Sequence, residues 1–331
     1  MQAYAAVAVA PCQVEYLPVT VPDPLPDDVV LRVTHSWISN GTEGSFIRAE
    51  RISGETPLQE SDPRPFPHVS GYQKVGVVEW VGANVSDIAV GETVFATVSR
   101  IEGMFYSHGG HISPAVSNSS QIWKVPAGLD PVAVSGLVLT QVGYNVGNRP
   151  SLQAGDAAVV IGDGMVGHWS AQTLRQKGAK VLLLGKHADR LGRFTLHAGD
   201  RTLNANEEDP VSVIRDWAQN GIQVLADTVG SIITIQQLLP LMRHDSHISS
   251  AGFYGTEGTI DLQHLRPAEI TLHSPSGWSR PRMNATLALL QQGALETLTL
   301  ITHRFPIQQA HEAFELVLSR QSPVLGVVLD W

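Results

Sequence analysis

The chain has 331 residues, 43% of them hydrophobic, with 22 Lys and Arg against 31 Asp and Glu for a formal net charge of −9. An acidic chain without a run of basic residues lacks the concentrated positive surface that nucleic acids and anionic membranes require, so a small molecule is the expected partner. One cysteine, Cys12, excludes an internal disulfide framework and any cysteine-rich zinc site. No apolar run approaches the roughly 18–20 residues that cross a bilayer, and the Ala/Val-rich start has neither the basic region nor the cleavage site of a secretion signal. A cytoplasmic location is expected. At roughly 100–200 residues per domain, the length suggests two domains, each able to bury its own core.

In chain order, residues 1–12 read as a first strand that continues in alternating register through Gln13-Val14-Glu15-Tyr16. Short β-branched runs at 28–34, 74–81, 92–97 and 121–125, punctuated by Pro and Gly, indicate a β-rich first domain. Between them, residues 46–67 carry Pro57, Pro63, Pro65 and Pro67 and read as a surface loop able to close over a site. His108-Gly109-Gly110-His111 reads as a glycine-rich loop, with no third residue to complete a metal site. The scattered His168, His244, His247 and His303 read as surface or capping residues. From Pro131 the pattern changes: a helix is expected over 132–146 and a buried strand over 157–161, followed by apolar runs at 181–184, 224–226 and 248–253 separated by helical stretches. Such alternation predicts a parallel sheet with helices on both faces. Helices over 281–292 and 307–319 and a strand over 323–329 close the chain.

The most specific local signal is Val159-Val160-Ile161 followed by Gly162-Asp163-Gly164-Met165-Val166-Gly167 and a helical stretch over 168–177. Between a strand and a helix this spacing has a mechanical reading: Gly162 permits the tight turn, Gly164 lets the backbone approach a pyrophosphate, and Gly167 lets the helix pack on the strand. Met165 and Val166, within the same turn, are further candidates to contact the cofactor. The next strand ends on Gly185 and runs into Lys186-His187-Ala188-Asp189-Arg190. A carboxylate is missing where the 2′-hydroxyl of NAD would be read, and Lys186, His187 and Arg190 supply donors for a 2′-phosphate, so NADP(H) is the expected cofactor. By the same reasoning Gly185→Asp is expected to shift preference toward NADH.

Further motifs resemble the medium-chain dehydrogenase/reductase superfamily over essentially the whole chain. Gly71-Tyr72-Gln73-Lys74-Val75-Gly76-Val77-Val78-Glu79-Trp80-Val81-Gly82 is similar to that family's GHExxGxVxxVG stretch, Val90-Gly91-Glu92-Thr93-Val94 to its GDRV turn, and Asp227-Thr228-Val229-Gly230 to the D-x-x-G after its fourth nucleotide-domain strand. His35-Ser36-Trp37-Ile38-Ser39-Asn40-Gly41-Thr42-Glu43 resembles the ISxGTE stretch of bacteriochlorophyllide a dehydrogenases. The resemblance implies an α/β architecture: a GroES-like β-rich catalytic domain at 1–127, a doubly wound Rossmann domain at 128–277, and a return at 278–331 that completes the catalytic domain. It also implies cofactor contacts from Gly252 and Phe253 at the fifth-strand exit, and a homodimer. Where zinc-dependent members keep a Cys, a His-Glu pair and a later Cys or Asp, the corresponding positions here are Asn40, Tyr72 with Gln73, and about Gln141, which points to a zinc-lacking branch.

Without zinc, the charge that develops on hydride transfer is best spread through a conjugated carbonyl or met by hydroxyl donors. The expected activity is therefore a zinc-independent NADPH-dependent reductase acting on an enone or polyene in a bulky apolar substrate in specialised metabolism, with ring closure as a further step. An NADP-dependent alcohol/ketone dehydrogenase and a non-catalytic NADPH-binding protein are the alternatives. Tyr72 is the first candidate for proton or hydrogen-bond donor, with Ser39, Asn40, Thr42 and Glu43 beside it. Tyr72 as a mere space-filler and Glu43 as a turn anchor are the structural alternatives. Trp37, Phe105, Tyr106, Tyr254 and Trp278 are candidates to line an apolar cleft, each alternatively an ordinary core residue.

Overall fold

The strand Asp28–Ile38 organises the β-rich part of the chain. It pairs antiparallel with Lys74–Val81 on one side and Gly326–Asp330 on the other, within a seven-stranded sheet that also contains Thr93–Ala96, Ala115–Asn118, Ile122–Lys124 and Ile301–Pro306. Residues 1–12 form the strand Gln2–Ala10 of a smaller sheet. The stretch expected to continue it instead turns back as Gln13–Thr20, because the chain reverses at Cys12, whose φ is +60°. Val29, Leu31, Val78, Val94 and Ile112 are buried together between these layers. Trp37 is sealed in the core: a Cβ at Gly136 would lie 2.9 Å from its ring and one at Gly326 2.4 Å from it. The break at Gly136 divides the helix expected over 132–146 into Pro131–Val134, capped by the Asp130 carboxylate, and Leu137–Asn148. Part of the expected loop is ordered as the short helix Thr42–Ile47 and the strands Arg51–Ser53 and Thr56–Pro57.

This computed structural model describes residues 1–54, 56–255, 258–319 and 323–331. They fall into two units, residues 1–138 with 297–331, and residues 139–296. The segment 278–296, expected with the C-terminal return, thus belongs to the second unit and holds the helix Arg280–Gln291. Among the described residues, no helix is long and apolar enough to cross a membrane.

The second unit is a six-stranded parallel sheet. In space its strands run Arg201–Asn204, Lys180–Gly185, Ala157–Ile161, Ile222–Asp227, Met242–Ser250, Thr271–His273, so the first strand in the chain lies in the middle. Every residue of Ala157–Ile161 is buried, as a strand covered on both faces requires. The helix Leu137–Asn148 approaches the helix Met165–Gln176 closely: a Cβ at Gly143 would lie 2.5 Å from Trp169 Cβ. Trp169 is fully buried, and its indole N–H donates to the Glu296 carbonyl at 3.0 Å.

Candidate active site

In the second unit the strand order reverses between Ala157–Ile161 and Ile222–Asp227, and in open α/β sheets ligands bind at the carboxyl ends of the strands at such a point. Gly162 leaves the first strand at φ +117°, and a Cβ there would lie 2.4 Å from Thr228 Oγ1 at the end of the fourth strand. At Gly167 a Cβ would lie 1.9 Å from the Gly162 carbonyl oxygen, so the helix Met165–Gln176 lies on the turn only because hydrogen stands there. Gly164 differs: among the described residues nothing comes within 4 Å of a Cβ built on it, and no side chain caps the helix it begins. Open space and helix N-terminal N–H groups therefore lie together ahead of Met165 and Val166, an arrangement that fits a pyrophosphate. Gly252 and Phe253 pack against Gly230, beyond the fourth strand at the same end of the sheet.

The loop after Gly185 differs from the sequence expectation. Asp163, the variable residue of the glycine turn, reaches across to it. Its Oδ2 accepts the backbone N–H groups of Lys186 and His187, both at 2.8 Å, and lies 2.9 Å from His187 Nδ1, while Oδ1 lies 3.6 Å from the Arg190 guanidinium. Burial alone would raise the pKa of this carboxyl, but the N–H bonds from Lys186 and His187 and the His187 ring outweigh it and hold the pKa below the usual carboxylate value. Two of the three residues assigned to a 2′-phosphate thus already face a carboxylate. A Cβ at Gly185 would lie 2.4 Å from Asp163 Oδ2, so Gly185→Asp would collide with a buried charge and is not a clean test of cofactor preference.

In the first unit, four of the five catalytic candidates come together. The Tyr72 hydroxyl donates to Ser39 Oγ at 2.8 Å, and the Ser39 backbone N–H donates to Glu43 Oε1 at 2.7 Å. Thr42 also bonds the Tyr72 hydroxyl. Burial, aided by the nearby Glu43 charge and opposed by the hydrogen bonding with Ser39 and Thr42, pushes the Tyr72 pKa up to about 12, so the phenol keeps its proton throughout the neutral range. Asn40 turns away: its amide donates to the Leu325 carbonyl at 2.7 Å, and its buried Oδ1 has no partner among the described residues.

The cluster extends to a residue the sequence reading assigned to a loop. His111 is fully buried, with Nε2 2.8 Å from Glu43 Oε2 and Nδ1 2.8 Å from Ser36 Oγ, which in turn accepts the Trp331 indole N–H at 2.8 Å. The carboxylate oxygens of Glu43 therefore hold both the backbone under Tyr72 and the His111 ring. Nearby in sequence, Lys74 is fully buried on its strand, and among the described residues its ammonium donates only to the Thr97 carbonyl, at 2.5 Å. Burial pushes its pKa down to about 7.

Other expectations change as well. Trp37 is core, and Tyr254 is anchored by its hydroxyl to Asp227 and packed on the second unit's apolar cluster, so neither is free to line a cleft. Tyr106 packs edge-on against Phe105 and Phe46 and donates to the Ile52 carbonyl at 2.6 Å. His168 is buried against Phe194 rather than at the surface, and burial drops its pKa to about 4. His247 pairs with His273 across neighbouring strands at 3.2 Å.

The donor set at the positions that resemble zinc ligands does not fit the metal. The Tyr72 hydroxyl and Asn40 amide are engaged as described, the Gln73 amide donates to the Trp37 carbonyl at 3.1 Å, and the Gln141 amide, in the second unit, is buried without a hydrogen bond among the described residues. All are neutral, whereas zinc takes thiolate, imidazole or carboxylate. Among the described residues, no group of three or more His, Cys, Asp or Glu is arranged to hold a metal ion.

Residues 166–292, within the second unit, match the family model for zinc-binding dehydrogenases. The chain is 26% identical to 2-desacetyl-2-hydroxyethyl bacteriochlorophyllide A dehydrogenase of Rhodobacter capsulatus, over 93% of this chain and 92% of that protein. Among solved structures it resembles an Escherichia coli oxidoreductase/dehydrogenase of unknown specificity involved in membrane biogenesis, with a TM-score of 0.87, 17% identity and coverage of 100% of this chain and 99% of that one. It also resembles a Sinorhizobium meliloti protein described as a zinc-binding dehydrogenase and solved with NADP bound, with a TM-score of 0.85, 18% identity and full coverage of both chains. The fold is that of these dehydrogenases, and with relatives of this kind along nearly its whole length the chain is an oxidoreductase of the dehydrogenase type.

Proposed function

We propose that the protein is a zinc-independent, NADP(H)-dependent reductase that delivers hydride to a conjugated carbonyl in a bulky, mostly apolar substrate. The observation that carries this reading is the linked set Tyr72, Ser39, Glu43 and His111, built on two stretches whose motifs resemble those that carry metal ligands in zinc-dependent members of the superfamily. Bound NADPH supplies the hydride. Tyr72, neutral up to about pH 12, keeps its one proton at every physiological pH and turns it from Ser39 Oγ to the carbonyl oxygen as negative charge develops there. Ser39 orients that hydroxyl, and Glu43 fixes Ser39 from below while His111 fixes Glu43. A phenol stabilises an alkoxide less than a metal ion does, so an acceptor that spreads its charge through an enolate suits this site better than an isolated ketone. Support for the 2′-phosphate form of the cofactor comes from exposed Lys186 and from Arg190, whose Nε is buried without a partner among the described residues.

The test is to incubate the protein and NADPH with a matched enone and saturated ketone and follow NADPH oxidation. Reduction of the enone alone is expected. Exclusive reduction of the ketone would establish the second reading, an alcohol/ketone dehydrogenase, which the Rhodobacter relative favours. Tight NADPH binding with no oxidation by either compound would leave a cofactor-binding protein without chemistry.

A further inference from the structure

We infer that Asp163 is a cofactor-discriminating residue: a carboxylate carried on the glycine turn reads the adenosine ribose in place of an acidic residue at the end of the second parallel strand. The inference rests on the dinucleotide reading of the second unit given above.

In dinucleotide folds that strand end presents the acid that accepts from the ribose hydroxyls. Here it is Gly185, and the volume its side chain would enter is filled by Asp163, with Oδ2 2.4 Å and Cβ 2.5 Å from the position of a Cβ. The carboxylate is 5% exposed and fixed by the N–H groups of Lys186 and His187. Its second oxygen is less engaged, meeting His187 Nδ1 at 3.1 Å and Arg190 at 3.6 Å, which leaves it acceptor capacity for a hydroxyl. The loop therefore holds two opposed features. Lys186, His187 and Arg190 attract a 2′-phosphate, and a fixed negative charge among them offsets part of that attraction while offering an acceptor to a 2′-hydroxyl. His168 lies under the same loop, but it is buried and neutral at physiological pH and does not alter this balance. Both nucleotides are accommodated, and Asp163 sets the ratio between them.

The experiment measures binding of NADPH and NADH by nucleotide fluorescence, at fixed ionic strength, to the wild-type chain, Asp163→Asn and Asp163→Ser. In the wild type NADPH is expected to bind more tightly than NADH by up to about tenfold, and in Asp163→Asn the ratio is expected to move further toward NADPH by about tenfold. Asp163→Ser, which keeps a small acceptor for the loop N–H groups, moves the same way and decides the matter if the Asn variant does not fold. An unchanged ratio, a shift toward NADH, or a wild-type preference of about a hundredfold for either nucleotide overturns the role of Asp163. If the wild type binds neither nucleotide, the dinucleotide reading itself falls; if it binds both and the variants leave the ratio alone, only the inference about Asp163 does.

Discussion

Replacing Lys74 by methionine should stabilise the protein, in a way that depends on pH. The side chain is fully buried, and its ammonium has the Thr97 carbonyl as its sole hydrogen-bond partner among the described residues. Burial lowers its pKa from lysine's ordinary 10.5 to about 7. At about 1.4 kcal/mol per pH unit, that drop corresponds to a cost on the order of 5 kcal/mol for keeping the proton in the folded chain. The unfolded chain holds the proton up to about pH 10.5 and the folded chain releases it near 7, so between these values the unfolded state binds more protons and stability rises with pH. Below about pH 7 both states are protonated and the cost is present in full. Methionine removes the titration and fills a similar volume with an unbranched apolar chain. The lost bond to Thr97, worth about 1 kcal/mol, is smaller than the relief. Urea unfolding should show Lys74→Met more stable by about 2–4 kcal/mol near pH 6.5, with the advantage shrinking toward about pH 9. The same difference at both pH values, or a less stable variant at the lower one, would refute the reasoning.

Tyr72→Phe removes the donor and leaves the ring, so turnover should fall about 10- to 100-fold while the KM of the carbonyl substrate changes little, as steady-state kinetics would show. His111→Ala leaves the Glu43 carboxylate buried without its partner and should cost about 3 kcal/mol in denaturant unfolding, whereas His111→Gln, which can still donate, should cost less than half of that. Elemental analysis should find no stoichiometric zinc and prolonged dialysis against a chelator should leave activity unchanged, because Asn40, Tyr72, Gln73 and Gln141, at the positions that resemble zinc ligands, are neutral; activity restored only by added zinc would count against that reading.

The second unit was the more legible part of the chain, because its signals are local. The run Ala157-Ala158-Val159-Val160-Ile161 is a strand within its expected limits, and each glycine of the turn stands where steric contact demands one. Arg201–Asn204 and Thr271–His273 escaped notice because they are short outer strands in which most residues are not buried, so no apolar run marks them. The strand Lys74–Val81 was found despite Lys74, whose charge argued for an exposed position and gave no hint of burial. In the candidate site, Ser39, Thr42, Glu43 and Tyr72 were named through motif resemblance, but His111 lies 68 positions from Glu43, and only the fold brings the two together. Asp163 was hidden differently: it occupies a position of the glycine pattern at which any residue is allowed, so the pattern carries no information about what its side chain does.

The first unit is interrupted in sequence and the second is not. Residues 139–296 form one continuous stretch that contains every strand of the parallel sheet. No uninterrupted fragment that omits that stretch can complete the other unit, since Asp28–Ile38 finds one neighbour only in Gly326–Asp330. Closing that pairing means joining chain segments separated by nearly the whole length of the protein, a slow search for an unfolded polymer and a quicker one once the intervening stretch has condensed.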